Sequence, residues 1–84
     1  MRLTIYSKPG CHLCDEMKST VRRVLSTRPA EPTPSFDEID ISGDPVLIEQ
    51  YGLEIPVLLI DGKKAAKYRV SEQELTQMLD RRRG

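Results

Sequence analysis

The run Val57-Leu58-Leu59-Ile60 constrains the fold of this chain more than any other segment. It is apolar at every position, whereas a strand with one face in water alternates apolar and polar residues. The run therefore predicts a central strand that is covered on both faces. Asp61-Gly62 follows it directly and is a strong signal for a two-residue hairpin, which predicts an antiparallel neighbouring strand.

A strand and a helix are predicted at the start of the chain. Leu3-Thr4-Ile5-Tyr6 alternates in the manner of a strand, and Pro9-Gly10 then interrupts regular structure. From about Cys11 onward, apolar residues recur at helical spacing and form one apolar face. That face consists of Leu13, Met17, Val21, Val24 and Leu25. A loop is predicted next, because three prolines follow closely: Pro29, Pro32 and Pro34.

A second strand is predicted over Phe36–Ile41, and a short helix follows it. Asp44 can cap that helix, Pro45 suits its first position, and Gly52 is typical of the residue just after a helix. A strand–helix–strand opening of this kind requires a parallel pair of strands joined by a right-handed crossover.

The predicted hairpin leads to a fourth strand and a last helix. Ala66, Tyr68 and Val70 alternate with basic residues, which predicts the strand. Ser71 with Glu74 fits a capping box for the helix. The predicted order is β-α-β-α-β-β-α. The simplest arrangement of these elements is an α/β fold, with a four-stranded mixed sheet flanked by three helices.

Composition and charge exclude several classes of function. The formal net charge is zero, which argues against nucleic acid as a partner. No apolar stretch is long enough to span a membrane, and the N-terminus lacks the pattern of a signal peptide. We therefore expect one soluble domain over residues 1–84, with no membrane partner. The expected location is a reducing compartment, the cytoplasm or an organelle matrix.

The chain has two cysteines, Cys11 and Cys14, and one histidine, His12, which lies between them. A bridge between cysteines this close in sequence is a poor structural staple, because so short a loop removes only about 2 kcal/mol of unfolded-state entropy. A structural zinc site needs four ligands, and no second pair of Cys or His is present. Haem attachment requires a histidine where Asp15 stands. A metal or iron–sulfur site that uses Cys11 between two chains remains as an alternative.

Thiol exchange fits the pair better. A strand, a loop and a helix place Cys11 at the helix N-terminus, where free N–H groups favour an anion and lower the pKa of a thiol. Cys14 lies one turn further along, faces the same way and is more shielded. Cys11 is therefore predicted to attack a disulfide, and Cys14 to resolve the mixed disulfide. Lys8 can favour the Cys11 thiolate by charge, and His12 either donates a hydrogen bond to it or is simply exposed.

At these residues the chain resembles a known family. The segment Tyr6-Ser7-Lys8-Pro9-Gly10-Cys11-His12-Leu13-Cys14 resembles the active-site segment of glutaredoxins, which belong to the thioredoxin superfamily. Tyr51-Gly52-Leu53-Glu54-Ile55-Pro56-Val57 looks like the cis-proline segment of that family. The likeness extends over nearly the whole chain. Its Cys-His-Leu-Cys-Asp motif is most similar to the small glutaredoxin-like proteins.

The resemblance implies a thioredoxin/glutaredoxin-like fold and roles for several residues. Pro56 would be cis, and Ile55 would offer its backbone N–H and C=O to an extended substrate. Lys8 would contact a substrate carboxylate. These roles come from the family and not from the local sequence.

The chain departs from glutaredoxins in front of the last helix. Family members usually carry a Gly-Gly pair and an Asp there, which hold the glutamyl end of glutathione, whereas this chain has Arg69-Val70-Ser71-Glu72. Two interpretations are open. In one, Arg69 supplies a charge and Ser71 leaves N–H groups for a carboxylate. In the other, Ser71 and Glu74 only cap the helix.

The sequence thus predicts a dithiol–disulfide oxidoreductase of glutaredoxin type. Its partners would be a disulfide-containing protein or a glutathionylated substrate, and glutathione or a reductase would restore the reduced dithiol. We expect no bound cofactor and a monomer. The alternatives are the metal or iron–sulfur module between two chains and an adaptor that keeps the fold without redox activity.

Overall fold

The computed structural model describes residues 2–27 and 35–83 of the chain. Its elements follow the predicted order: β1 (Arg2–Ser7), α1 (His12–Ser26), β2 (Ser35–Asp40), α2 (Pro45–Tyr51), β3 (Val57–Ile60), β4 (Lys63–Lys67) and α3 (Glu72–Arg83). The loop predicted from Pro29, Pro32 and Pro34 lies outside the described residues.

The strands form one mixed sheet in the order β2-β1-β3-β4. β1 and β2 are parallel, as the helix between them requires, and β3 is antiparallel to both β1 and β4. β3 lies inside the sheet and all four of its residues are buried. The predicted α/β fold, with a covered central strand and a four-stranded mixed sheet, is confirmed.

The hairpin between β3 and β4 turns at the predicted dipeptide. Asp61 and Gly62 have φ angles of 52° and 82°. Positive φ at both central residues is the geometry of a type I′ turn, whose twist matches that of the flanking strands. The carboxylate of Asp61 also accepts the N–H of Arg2 at 2.8 Å, which ties the turn to the start of β1.

The fourth strand is shorter than the sequence pattern predicted. We expected it to run through Tyr68 to Val70, but β4 ends at Lys67. Tyr68 has a φ of 66°, in the left-handed region, and this conformation ends the extended strand. Val70 is nevertheless buried, because the segment between β4 and α3 folds back over the core. Alternation alone therefore could not distinguish a strand from this turn.

The main core lies between the sheet and the two longer helices, α1 and α3. It consists of Leu3, Ile5, Met17, Val21, Val24, Leu58, Ile60, Val70, Leu75 and Leu79.

α2 contributes no buried side chain. Its N-terminus is capped by Asp44, whose carboxylate accepts the N–H groups of Val46 and Leu47 at 3.0 and 3.2 Å. None of the helices in residues 2–27 and 35–83 is both long and apolar enough to cross a lipid bilayer.

Replacing a core leucine should destabilise the fold far more than replacing an exposed one. Leu75 is fully buried, whereas Leu53 is 93% exposed. We expect Leu75→Ala to lower the free energy of unfolding by about 2–5 kcal/mol, because it removes buried apolar surface and leaves a cavity. Leu53→Ala should change it by no more than about 0.5 kcal/mol. Urea denaturation followed by circular dichroism measures both, and equal effects would contradict the described core.

Candidate active site

A tight turn delivers Cys11 from the end of β1 to the start of α1. Gly10 has a φ of 78°, which a residue with a side chain rarely adopts. The N–H of Cys11 donates to the carbonyl of Lys8 at 3.4 Å and closes the turn. Cys11 itself is extended, with φ −87° and ψ 107°, and stands in the N-cap position of α1. The Pro9-Gly10 break in the sequence thus places a sulfur where helices usually carry a capping oxygen.

Cys11 and Cys14 are joined by a disulfide, with their Cα atoms 5.2 Å apart. The backbone N–H of Cys14 donates to the Cys11 sulfur at 3.1 Å. This donor belongs to the first turn of α1, where N–H groups lack helical partners and the helix dipole is positive.

The two sulfurs differ sharply in access. Cys14 is buried, with 1% of its surface exposed, whereas Cys11 is partly exposed. A disulfide that approaches from solvent can therefore reach Cys11 but not Cys14. Burial thus separates the two cysteines, as the sequence predicted from their positions on the helix.

The loop before β3 lies at the same end of the sheet as the loop that contains Cys11. Val57 pairs with Tyr6, so Pro56 and Ile55 are next to the end of β1 from which the cysteine loop departs. The Ile55–Pro56 peptide bond is cis and Pro56 is fully buried. Ile55 is half-buried, and its backbone N–H and C=O make no hydrogen bond with the described residues.

Lys8 and His12 flank Cys11 in different ways. Lys8 is half-buried and lines a shallow groove with Pro9, Gly10 and charged residues of α1 and β2. His12 is exposed in the first turn of α1 and makes no hydrogen bond or ion pair with the described residues. Both interpretations of His12 stay open, because Cys11 is part of a disulfide here and presents no thiolate to accept a hydrogen bond.

Arg69 and Ser71 occupy the segment before α3. Arg69 is exposed and lines a groove together with Leu13, the residue before Cys14. Ser71 caps α3: its hydroxyl accepts the N–H of Glu74 at 3.0 Å, and its own N–H donates to the Glu74 carboxylate at 3.2 Å. The capping box is confirmed, and it engages the N–H groups of both Ser71 and Glu74.

A charged cluster beside the cysteine loop was not predicted. The hydroxyl of Ser7, which is only 3% exposed, donates to the Glu38 carboxylate at 2.8 Å. Lys18 bridges Glu38 and Asp15, with N–O distances of 2.9 and 3.3 Å. Hydrogen bonds from Lys18 and Ser7 hold the pKa of Glu38 below its ordinary value, and hydrogen bonds to Glu38 and Asp15 raise the pKa of Lys18.

No local pattern in the sequence points to this cluster. Ser7 and Glu38 are 31 positions apart and meet only because β1 and β2 pair in parallel. In the described part of the chain, no group of three or more His, Cys, Asp or Glu side chains is arranged to hold a metal ion. A metal site through Cys11 would thus need most of its ligands from elsewhere.

The family of the chain can be assigned by comparison with known sequences. The model of the family described as "Glutaredoxin-like domain (DUF836)" matches residues 2–80, which is nearly the whole chain. No curated protein sequence matches at a significant level.

Solved structures share the fold. A structural genomics target protein from X. campestris is 26% identical, with a TM-score of 0.76 over 94% of this chain and 96% of that one. The germline-specific thioredoxin Deadhead from Drosophila melanogaster is 24% identical, with a TM-score of 0.60 over 95% of this chain and 78% of that one. Thioredoxin 1 from Thermosipho africanus is 15% identical, with a TM-score of 0.65 over 98% and 93%. The two thioredoxins support the fold alone.

The Glu38 cluster should make stability depend on pH. Because the pKa of Glu38 is lowered on folding, its contribution is fully present above the unfolded value of 4.5 and is lost as pH falls through the lower, folded value. Glu38→Gln should therefore be less stable than the native protein near pH 7, by a small margin because the carboxylate is partly exposed. The margin should shrink once the pH falls below 4.5. Urea denaturation at several pH values between about 3 and 7 would measure the difference in free energy of unfolding between the two proteins.

Glu49→Gln provides the matched control. Glu49 is exposed and makes no ion pair with the described residues, so its replacement removes a charge without breaking a contact. A difference for Glu38→Gln that is independent of pH, or one shared by Glu49→Gln, would contradict the assigned network.

Proposed function

The chain belongs to the glutaredoxin-like domain (DUF836) family, and on that premise we propose that it is a dithiol–disulfide oxidoreductase. The observation that carries the proposal is the arrangement of its cysteine pair. Cys11 is partly exposed at the N-cap of α1 and receives an N–H, whereas Cys14 is buried one turn further along. An accessible sulfur and a shielded one are what the two steps of disulfide exchange require.

In the first step the Cys11 thiolate attacks one sulfur of a substrate disulfide. A bond forms between Cys11 and that sulfur, the substrate S–S bond breaks, and the other sulfur leaves as a thiolate that takes up a proton. The N–H of Cys14 and the α1 dipole stabilise the attacking anion.

In the second step the Cys14 thiol loses its proton and attacks the Cys11 sulfur. The mixed disulfide breaks, the second substrate sulfur leaves as a thiolate, and the Cys11–Cys14 disulfide of the described structure forms. Two electrons have then passed from the dithiol to the substrate. Glutathione or a reductase must supply two electrons to begin the next cycle.

The substrate is proposed to lie across the edge of the sheet where the two loops meet. The backbone N–H and C=O of Ile55 have no partner there among the described residues, and they suit pairing with an extended peptide. Lys8 is close to the cysteine loop and can contact a substrate carboxylate. A protein disulfide satisfies these features, because it brings its own backbone to Ile55.

We favour reduction through both cysteines over a route that uses Cys11 and glutathione alone. In the described structure the Ser71 N–H already donates to Glu74, and buried Val70 occupies a place where glutaredoxins usually have glycine. Within the segment before α3, Arg69 could still attract a glutathione carboxylate. These features support a weaker site for glutathione than that of typical glutaredoxins.

Replacing Cys11 should abolish disulfide reduction. Cys11→Ser removes the attacking sulfur and leaves the fold in place, because the serine hydroxyl can still cap α1. We expect turnover of insulin disulfides, with dithiothreitol as reductant, to fall to the uncatalysed rate. Cys14→Ser is the matched control, since it should still form a mixed disulfide that mass spectrometry detects. Full activity of Cys11→Ser would overturn the proposed function.

Cys14→Ser should also lose multiple turnover on a glutathionylated peptide with glutathione as the reductant. Without Cys14, a second glutathione must bind and cleave the mixed disulfide at Cys11, and the capped α3 terminus disfavours that binding. Turnover is measured by coupling glutathione oxidation to NADPH consumption. A Cys14→Ser variant that keeps most of the native rate would instead assign glutathione as the direct reductant.

A further inference from the structure

The loop of residues 53–56 is held at three of its four positions by contacts with β4 and the turn after it. The carbonyl of Leu53 accepts the hydroxyl of Tyr68 at 3.0 Å. The carboxylate of Glu54 forms an ion pair with Lys64. The carbonyl of Pro56 accepts the backbone N–H of Tyr68 at 2.8 Å. One residue, Tyr68, therefore holds both ends of the loop.

Ile55 is the position without such a contact. Its N–H and C=O make no hydrogen bond with the described residues, although the residues on both sides are held. A backbone segment that is fixed on either side and unpaired in the middle is organised in advance to receive another strand. Such a segment loses little conformational freedom when it pairs.

The backbone conformation of Tyr68 is unusual for a tyrosine. Its φ of 66° lies in the left-handed region, which favours glycine and disfavours residues with a side chain. A glycine would satisfy the backbone bond to Pro56 but has no hydroxyl for Leu53. The ring is also 42% exposed, so its burial in the core does not account for the presence of tyrosine here.

We propose that Tyr68 is a positioning residue for protein substrates, which holds the 53–56 loop so that Ile55 presents its N–H and C=O to an extended peptide beside Cys11. This inference rests on the proposed disulfide reductase function. It predicts a particular selectivity: Tyr68 acts on substrates that bring a peptide backbone to Ile55. It has no influence on a small disulfide that brings none.

The test is Tyr68→Phe, which removes the hydroxyl and keeps the ring and the backbone N–H. We expect KM for insulin disulfides to rise about fivefold with kcat unchanged, the effect of losing one neutral hydrogen bond that organises the site. KM for bis(2-hydroxyethyl) disulfide, which has no peptide backbone, should not change. The reduction potential of the Cys11–Cys14 pair should also stay at the native value.

Tyr51→Phe is the matched control. The Tyr51 ring packs on Tyr6 with centroids 4.9 Å apart, but its hydroxyl has no hydrogen-bond partner in the described part of the chain. It should leave both KM values unchanged. A merely structural role for Tyr68 would instead raise KM for both disulfides together, or lower kcat, and would overturn the inference.

Hydrogen exchange supplies a readout that does not need activity. The N–H of Glu54 donates to the carbonyl of Tyr51 at 2.8 Å inside the held loop, so its exchange should be several-fold faster in Tyr68→Phe than in Tyr51→Phe. Unchanged exchange would overturn the inference.

If the native protein reduces insulin but Tyr68→Phe has the same KM, the inference fails and the proposed function stands. If the native protein reduces neither disulfide, both fail.

Discussion

Tyr6 pairs with Val57 where β1 and β3 run antiparallel, and this pairing decides which two loops meet at the edge of the sheet. Beyond Tyr6 the chain leads through Gly10 to Cys11, and before Val57 it passes through Ile55. The loops that contain Cys11 and Ile55 therefore leave the sheet at the same end, although the two residues are more than forty positions apart in the sequence. The pairing is strongly specified, because a shift of β1 by one residue would turn Leu3 and Ile5 away from the core.

The cysteine pair shows how local geometry and burial combine. The turn at Gly10 places the Cys11 sulfur where α1 has unpaired N–H groups, so the stabilising donor is supplied by the helix itself. Burial of Cys14 is different in kind, since it follows from packing α1 against the sheet. Together these effects make the two sulfurs of the motif different: Cys11 is partly exposed and receives an N–H, whereas Cys14 is buried. A pair on an exposed loop would have neither the donor nor the difference in access.

The segment between β4 and α3 forms hydrogen bonds within its own chain. Ser71 is engaged in capping α3, and Tyr68 turns back to the loop that contains Ile55. The backbone N–H of Ser71 is therefore engaged by the Glu74 carboxylate within the same cap. Under the function proposed above, this engagement favours a substrate that binds through its own backbone over one bound through its carboxylates.

Much of the fold and the position of the cysteine pair could be predicted from the sequence alone. The covered strand at 57–60, the Asp61-Gly62 turn, both helix caps and the cysteine motif are decided by neighbours within a few residues. Local sterics, hydrogen bonding and periodicity are therefore sufficient to predict them. The end of β4, the contacts of Tyr68 and the cluster of Ser7, Glu38 and Lys18 depend on residues brought together from distant parts of the chain. Only the tertiary structure decided these, because alternation in one segment contains no information about what packs against it.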